Sequence, residues 1–267
     1  MKIAICVSGQ TRNHNTYSNK WLEDINHLFA DYEYDLYGHT WVGQPKPVTS
    51  RFRDPFKGLC FDDQTIIDDW VKRDHITNGF YDKAWSDNPE WKNIVKDGKA
   101  FDHILATSRM AYGQFVSTFL CMQQVKGDYD AVVRYRWDIG LRDRNISRLQ
   151  EDIELFVGNR SKHYSELVHS DTIPNEIAYV GSWADVMVSY PFIDNQYVPD
   201  YMFVFDKKIL DIVKSIQWPN ILIDKPQAHS GWIKVFKALK LITIAGMQDK
   251  FTLLEDRDKK FQHLWQC

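Results

Sequence analysis

Asp128-Tyr129-Asp130-Ala131-Val132-Val133-Arg134-Tyr135-Arg136-Trp137-Asp138-Ile139-Gly140 is the stretch whose reading decides the fold. After an acidic turn, Ala131, Val132 and Val133 make a short apolar, β-branched run, the pattern of a buried strand. Charge then returns at Arg134, Arg136 and Asp138. In an extended chain these i, i+2 and i+4 positions share one face and span roughly 13 Å at about 3.3 Å per residue. Two cations and a carboxylate are therefore expected to converge at a strand end, and in open α/β sheets ligands bind in the crevice beyond the carboxyl ends of the strands. Arginine suits a phosphorylated ligand, with Asp138 left for a divalent metal or a sugar hydroxyl. The competing reading is an exposed edge strand whose charges only solvate it.

The segment before this strand predicts a helix over 108–126, with Ala111, Phe115, Phe119 and Met122 on one stripe, Thr107 or Ser108 as cap and Gly127 as stop. At the N-terminus, residues 2–7 form a near-continuous apolar run, Lys-Ile-Ala-Ile-Cys-Val, that ends in Ser8-Gly9-Gln10-Thr11-Arg12-Asn13. That is a buried strand followed by a polar loop with one glycine. Trp21, Leu22, Ile25, Leu28 and Phe29 recur at helical spacing over 20–32, and 34–41 reads as a second strand. Strand, helix, strand opens a parallel sheet with a right-handed crossover. The loop after the first strand carries neither GxGxxG nor GxxxxGK[ST], so the usual dinucleotide and P-loop nucleotidase signatures are lacking. Gly9, Thr11 and Arg12 can still touch a base or a phosphate.

Farther along, proline and charge over 43–57 predict a loop, and Asp62 or Asp63 can cap a helix through His75 with Ile66, Ile67, Trp70 and Val71 inside. Residues 79–99 read as a polar excursion over the surface. A strand is expected at 177–180 and a short helix from Ser182 to Tyr190. Asp200 precedes a strand, Tyr-Met-Phe-Val-Phe, after which Asp206 caps a helix to Ile216. Pro226 opens another helix with Trp232, Ile233 and Phe236 facing inward and His229 on the same face. Residues 241–245 predict a last strand, and 249–260 a solvated charged run.

With 267 residues, 44% hydrophobic and 26% charged, the chain can bury a full core and is expected to form one domain over 1–267. A formal charge of −3 argues against nucleic acid as a partner, so any anionic ligand must meet a local basic cluster. The apolar part of the N-terminus is short for a secretory segment, and no stretch approaches the 18 or so apolar residues of a membrane span. Cys6, Cys60, Cys121 and Cys267 share no metal-ligand spacing, which predicts reduced thiols in a cytoplasmic protein. Ten tryptophans suit sugar-stacking platforms and large core residues equally well.

Four of these stretches taken together carry a resemblance: Lys-Ile-Ala-Ile-Cys-Val-Ser-Gly-Gln-Thr-Arg-Asn, Tyr-Asp-Leu-Tyr-Gly-His-Thr-Trp, the Ser108–Ser117 helix, and Tyr-Asp-Ala-Val-Val-Arg-Tyr-Arg-Trp-Asp followed by Val-Pro-Asp-Tyr-Met-Phe-Val-Phe-Asp. Their order and spacing resemble GT-A type nucleotide-sugar glycosyltransferase-like proteins of bacteria and their viruses, over about 1–42, 108–140 and 197–210. The resemblance implies an α/β, Rossmann-like GT-A fold with a mixed, mostly parallel central sheet flanked by helices. It implies a donor half over about 1–140, an acceptor half over about 141–267, a nucleotide-sugar donor and a carbohydrate acceptor, in surface polysaccharide synthesis or modification. Donor contacts then fall on Ser8, Gly9, Gln10, Thr11, Arg12, His39, Arg109, Arg134, Arg136 and Asp138, with a divalent metal, Mn or Mg, on Asp138. The family's usual pair of aspartates is matched here by Arg136-Trp137-Asp138, so Arg136 stands where the first would be and can itself neutralise phosphate. Asp200 and His229 are the expected catalytic bases toward the acceptor. The alternative is an inactive nucleotide- or sugar-binding module with the same fold. A two-metal phosphate-ester hydrolase is disfavoured, because no second carboxylate or histidine lies at close spacing to Asp138.

Overall fold

The computed structural model describes residues 1–11, 20–42, 55–71, 100–141, 150–151, 153–154, 186–189, 202–215, 232, 235–236, 239, 243–247 and 251–253. In chain order the elements are β1 (Lys2–Ser8), α1 (Lys20–Leu28), β2 (Glu33–Trp41), β3 (Phe56–Asp62), α2 (Thr65–Val71), α3 (Ala100–Gln123), β4 (Ala131–Arg136), β5 (Ile139–Leu141), β6 (Val186–Ser189), β7 (Met202–Asp206), α4 (Ile209–Ser215), β8 (Thr243–Met247) and β9 (Phe251–Leu253). Seven strands make one sheet in the order β3-β2-β1-β4-β7-β6-β8, and β5 pairs with β9 in a separate ribbon. The pairs β3/β2, β2/β1, β1/β4 and β6/β8 are parallel, while β7 runs antiparallel to both β4 and β6. This is an α/β, Rossmann-like architecture with a mixed, mostly parallel sheet.

β1 lies inside the sheet, between β2 and β4, and is apolar on both faces. Ile3, Ile5 and Val7 point to one side, with Trp21, Ile25, Leu28 and Phe29 of the α1 segment, and Ala4 and Cys6 point to the other, with α3. All five are fully buried, and each large aliphatic side chain removed from water contributes about 1.5–3 kcal/mol. β4 repeats the pattern: Ala131, Val133 and Tyr135 join the α1 face and Val132 the α3 face. On the α3 face Phe115, Phe119, Phe203, Phe236 and Trp232 form a ring cluster, with Phe115 and Trp232 edge to face at 4.7 Å between centroids.

Several expectations are corrected. The helix before β4 starts at Ala100, so Thr107 and Ser108 lie inside it and cannot cap it; it ends at Gln123, and Gly127, at φ +118°, turns the chain toward β4. Phe56–Asp62 is a strand although its first two residues fell in the proline-rich stretch, because β2 offers it a parallel partner. The cap of α2 is Asp63, whose Oδ1 accepts from the Thr65 N–H at 2.9 Å, while Asp62 ends β3. Residues 186–189 are strand rather than helix, held between β7 and β8. Within the charged run after 249, Phe251–Leu253 pairs with β5. The expected strand at 177–180, the excursion over 79–99 and Pro226 lie outside the described residues. Cys6, Cys60 and Cys121 are free thiols. No helix among the described residues is long and apolar enough to cross a membrane.

Candidate functional site at the carboxyl edge of the sheet

The register brings the ends of four neighbouring strands together. Ser8 at the end of β1 lies opposite His39 of β2 and Arg136 of β4, and His39 lies opposite Cys60 of β3. The order β3-β2-β1-β4 reverses direction in sequence between β1 and β4, and in open α/β sheets that switch point leaves a crevice between the loops that leave the two strands. Ser8-Gly9-Gln10-Thr11 leaves β1 there. Gly9 has φ +112°, and no atom lies within 4 Å of where a Cβ would stand, so the loop turns sharply beside open space. Its N–H donates to Ser117 Oγ at 2.7 Å, and the Ser8 and Thr118 hydroxyls are 3.0 Å apart, which ties the loop to α3.

Arg136 ends β4, and Trp137 and Asp138 form a turn before β5, so Asp138 is not the third member of an extended row. The turn swings its carboxylate back onto Arg136, whose Nε and Nη2 donate to Oδ1 and Oδ2 at 2.7 and 2.6 Å. Both residues are nearly enclosed, at 9% and 4% exposure. Trp137 locks the turn: its Nε1–H donates to the His39 carbonyl at 2.9 Å and its ring meets Trp21 edge to face. Arg134 stands two residues before Arg136 on the same strand. It is fully buried on the α3 face, its guanidinium carbon 5.3 Å from the Phe203 ring centroid and 5.4 Å from that of Trp232. Desolvated cation–π contacts of this kind are worth about 2 kcal/mol.

His39 is fully buried and bridges two elements, with Nδ1 2.7 Å from Ser117 Oγ and Nε2 3.0 Å from Asp62 Oδ2. Burial lowers its pKa to about 4, partly offset by the hydrogen bond and charge of Asp62, so the ring is neutral at pH 7. A neutral ring in this setting carries its hydrogen on Nε2 toward the carboxylate and accepts the Ser117 O–H at Nδ1. The Ser117, His39, Asp62 connectivity is that of a nucleophilic relay. Ser117 is fully enclosed and its Oγ already receives the Gly9 N–H, so this relay acts as a strut. Beside it the Cys60 thiol is pushed up to about 12 by burial and by Asp62, against a hydrogen bond from Gln124.

Of the residues expected in the site, Ser8, Gly9, Gln10, Thr11, His39, Arg136 and Asp138 come together along this edge, and Arg134 sits beneath it in the core. Arg12, Asp200 and His229 lie outside the described residues, as does the side chain of Arg109, whose backbone belongs to α3. A divalent metal on Asp138 meets a carboxylate with both oxygens taken by Arg136, whereas hard cations such as Mn or Mg gather several oxygen ligands. Among the described residues, those whose donor atoms converge are His39, Cys60 and Asp62, all within 4.8 Å of one another. Cysteine spacing alone marks Cys60 as a reduced thiol, and Asp62 reads as a helix cap; their i, i+2 spacing, which puts both on one strand face, is the signal that links them. Ser117 gave none beyond its place on the helix.

No family model and no curated protein sequence matches the chain. Among solved structures it is similar to a protein assigned as a nucleotide-diphospho-sugar transferase from Desulfovibrio desulfuricans G20, at 14% identity and TM-score 0.33 over 92% of this chain and 79% of that one. It is similar to the inositol-1-phosphate CTP transferase from T. maritima, at 8% identity and TM-score 0.41 over 94% and 88%, and to mouse xyloside xylosyltransferase 1, at 10% identity and TM-score 0.32 over 91% and 77%. All three TM-scores are below one half, and no activity is carried over from them.

Proposed function

We propose that the chain is a nucleotide-sugar glycosyltransferase of GT-A type, moving a sugar from a nucleotide-diphosphate donor to a glycan or other hydroxyl acceptor. The observation that carries this reading is the meeting of the Ser8-Gly9-Gln10-Thr11 loop with Arg136 and Asp138 at the switch point between β1 and β4. In such a transfer the acceptor oxygen bonds to the sugar carbon, the bond from that carbon to the diphosphate breaks, and negative charge develops on the leaving oxygen. Arg136 is the fixed positive charge best placed to receive it. The diphosphate exchanges with Asp138 for the guanidinium fork, the bidentate geometry that arginine offers to carboxylate and phosphate alike. This supports Arg136, rather than Mn or Mg on Asp138, as the main neutralising group. Ser8, Gly9, Gln10, Thr11 and Arg12 hold the donor, with Arg109 on α3 and His39 behind them; Arg134 supports Arg136 from the core.

The acceptor half, from about 141 onward, supplies the base. β7 begins at Met202 opposite Tyr135, at the same edge where β4 ends. That register favours Asp200, two residues earlier in sequence, as the group that takes the acceptor proton, with His229 second. Decoration of a surface polysaccharide by a single cytoplasmic domain completes the reading.

The test is thermal unfolding with nucleoside diphosphates and nucleotide-sugars, each with manganese or with EDTA, followed by transfer assays on any ligand that binds. A ligand at a hundred times its dissociation constant stabilises by about 2.7 kcal/mol, and that gain should persist in EDTA. Asp200→Asn should slow turnover about 10²- to 10⁴-fold at unchanged donor affinity. No shift with any nucleotide at millimolar concentration would sink the reading. The Arg136 to Asp138 pair also favours an inactive nucleotide- or sugar-binding module, which binding without turnover would identify.

A further inference from the structure

We propose that His39, Cys60 and Asp62 form a binding site for one divalent cation of the zinc class, at the carboxyl ends of β2 and β3. The pleat of two parallel strands builds it. His39 and Cys60 are direct cross-strand partners, and Asp62, two residues beyond Cys60, leaves β3 on the same face. The three donor atoms lie within 4.8 Å of one another, with His39 Nε2 3.0 Å from Asp62 Oδ2. A tetrahedral zinc ion with bonds of about 2.0–2.3 Å separates its ligand atoms by roughly 3.3–3.7 Å. Small side-chain rotations therefore bring all three into register.

The donor set selects the metal. A thiolate, an imidazole and a carboxylate suit zinc and its neighbours, while magnesium, calcium and manganese favour oxygen ligands alone. The surroundings also fit. Ligating histidines are oriented by a partner on their other nitrogen, and here Ser117 Oγ holds Nδ1 at 2.7 Å while Trp41 packs edge to face on the ring at 4.9 Å. Gln124 hydrogen-bonds the Cys60 side chain and donates from Nε2 to the Gly38 carbonyl at 3.0 Å. Binding expels the thiol proton of Cys60 and moves the imidazole hydrogen from Nε2 to Nδ1, where Ser117 Oγ accepts it. Three protein ligands leave a fourth position for water or another ligand, and the Asp62 side chain is 43% exposed. The site is separate from Asp138, and its test reads metal binding rather than glycosyl transfer.

The experiment is titration of the full-length, chelator-stripped protein with cobalt(II), then zinc(II). One equivalent of cobalt is expected to bring a thiolate charge-transfer band that zinc abolishes. Cys60→Ser should remove the band while the metal-free protein keeps the parent's circular dichroism. Asp62→Asn, a change at a partly exposed side chain, should keep the band but weaken zinc binding about tenfold or more, and it serves if Cys60→Ser does not fold. Absence of the band in the folded parent overturns the proposal. So does a band that survives in Cys60→Ser, which would assign the metal to other thiols, or zinc affinity unchanged in Asp62→Asn.

Discussion

Arg136 and Asp138 close on each other across Trp137, two guanidinium nitrogens against two carboxylate oxygens at 2.7 and 2.6 Å. The pair is nearly enclosed at the end of β4, and removing one partner of a buried pair costs about 3–5 kcal/mol. Asp138→Asn is therefore expected to lower the free energy of unfolding in urea by about 3 kcal/mol or more. A loss under about 1 kcal/mol would mean that the pair is solvated as ordinary surface pairs are.

If a diphosphate competes with Asp138 for Arg136, the same variant should gain more from ligand than the parent does. Thermal midpoints with and without a nucleoside diphosphate measure this directly. An equal gain in both proteins would place the anion away from Arg136.

His39 makes stability depend on acid. Its folded pKa, about 4, lies below the ordinary value of 6.5, so the unfolded chain takes up a proton first as pH falls. The contribution is full above about pH 6.5 and is lost on the way down to about pH 4, amounting to roughly 3 kcal/mol at about 1.4 kcal/mol per pH unit. Urea unfolding in EDTA from pH 7 to pH 4 should show a slope that His39→Gln reduces. The same slope in both proteins would assign it to other groups.

Trp232 is fully buried against Phe115, Phe203, Phe236 and the Arg134 guanidinium. Trp232→Ala should cost about 3–5 kcal/mol, as large aromatic truncations in cores do. Chemical denaturation reads it, and a cost near zero would detach this residue from the core.

At Gly9 a side chain meets no atom, so Gly9→Ala isolates the backbone conformation at φ +112°. The expected cost is about 1–3 kcal/mol. Weaker nucleotide binding beyond that loss, measured on the folded fraction, would show that the open space above Gly9 is used by ligand.

Sequence by itself determined which strands are buried on both faces. The apolar runs of β1, β4 and β7 report burial on both faces whatever their neighbours, and the polar loop after Ser8 marks where β1 leaves the core, whereas the return of charge at Arg134 does not end β4, because Arg134 is itself fully buried. Phe56–Asp62 and Val186–Ser189 were not legible as strands, because a short mixed segment becomes a strand only when a partner supplies its hydrogen bonds. Only the tertiary structure decided what each charged group faces. The two-residue turn Trp137-Asp138 set the Asp138 carboxylate against Arg136, and pairing of β2 with β3 set His39 against Cys60 and Asp62. Local periodicity records which side of a segment is dry. Side-chain partners 78 residues apart, such as His39 and Ser117, are chosen by the packing of whole elements.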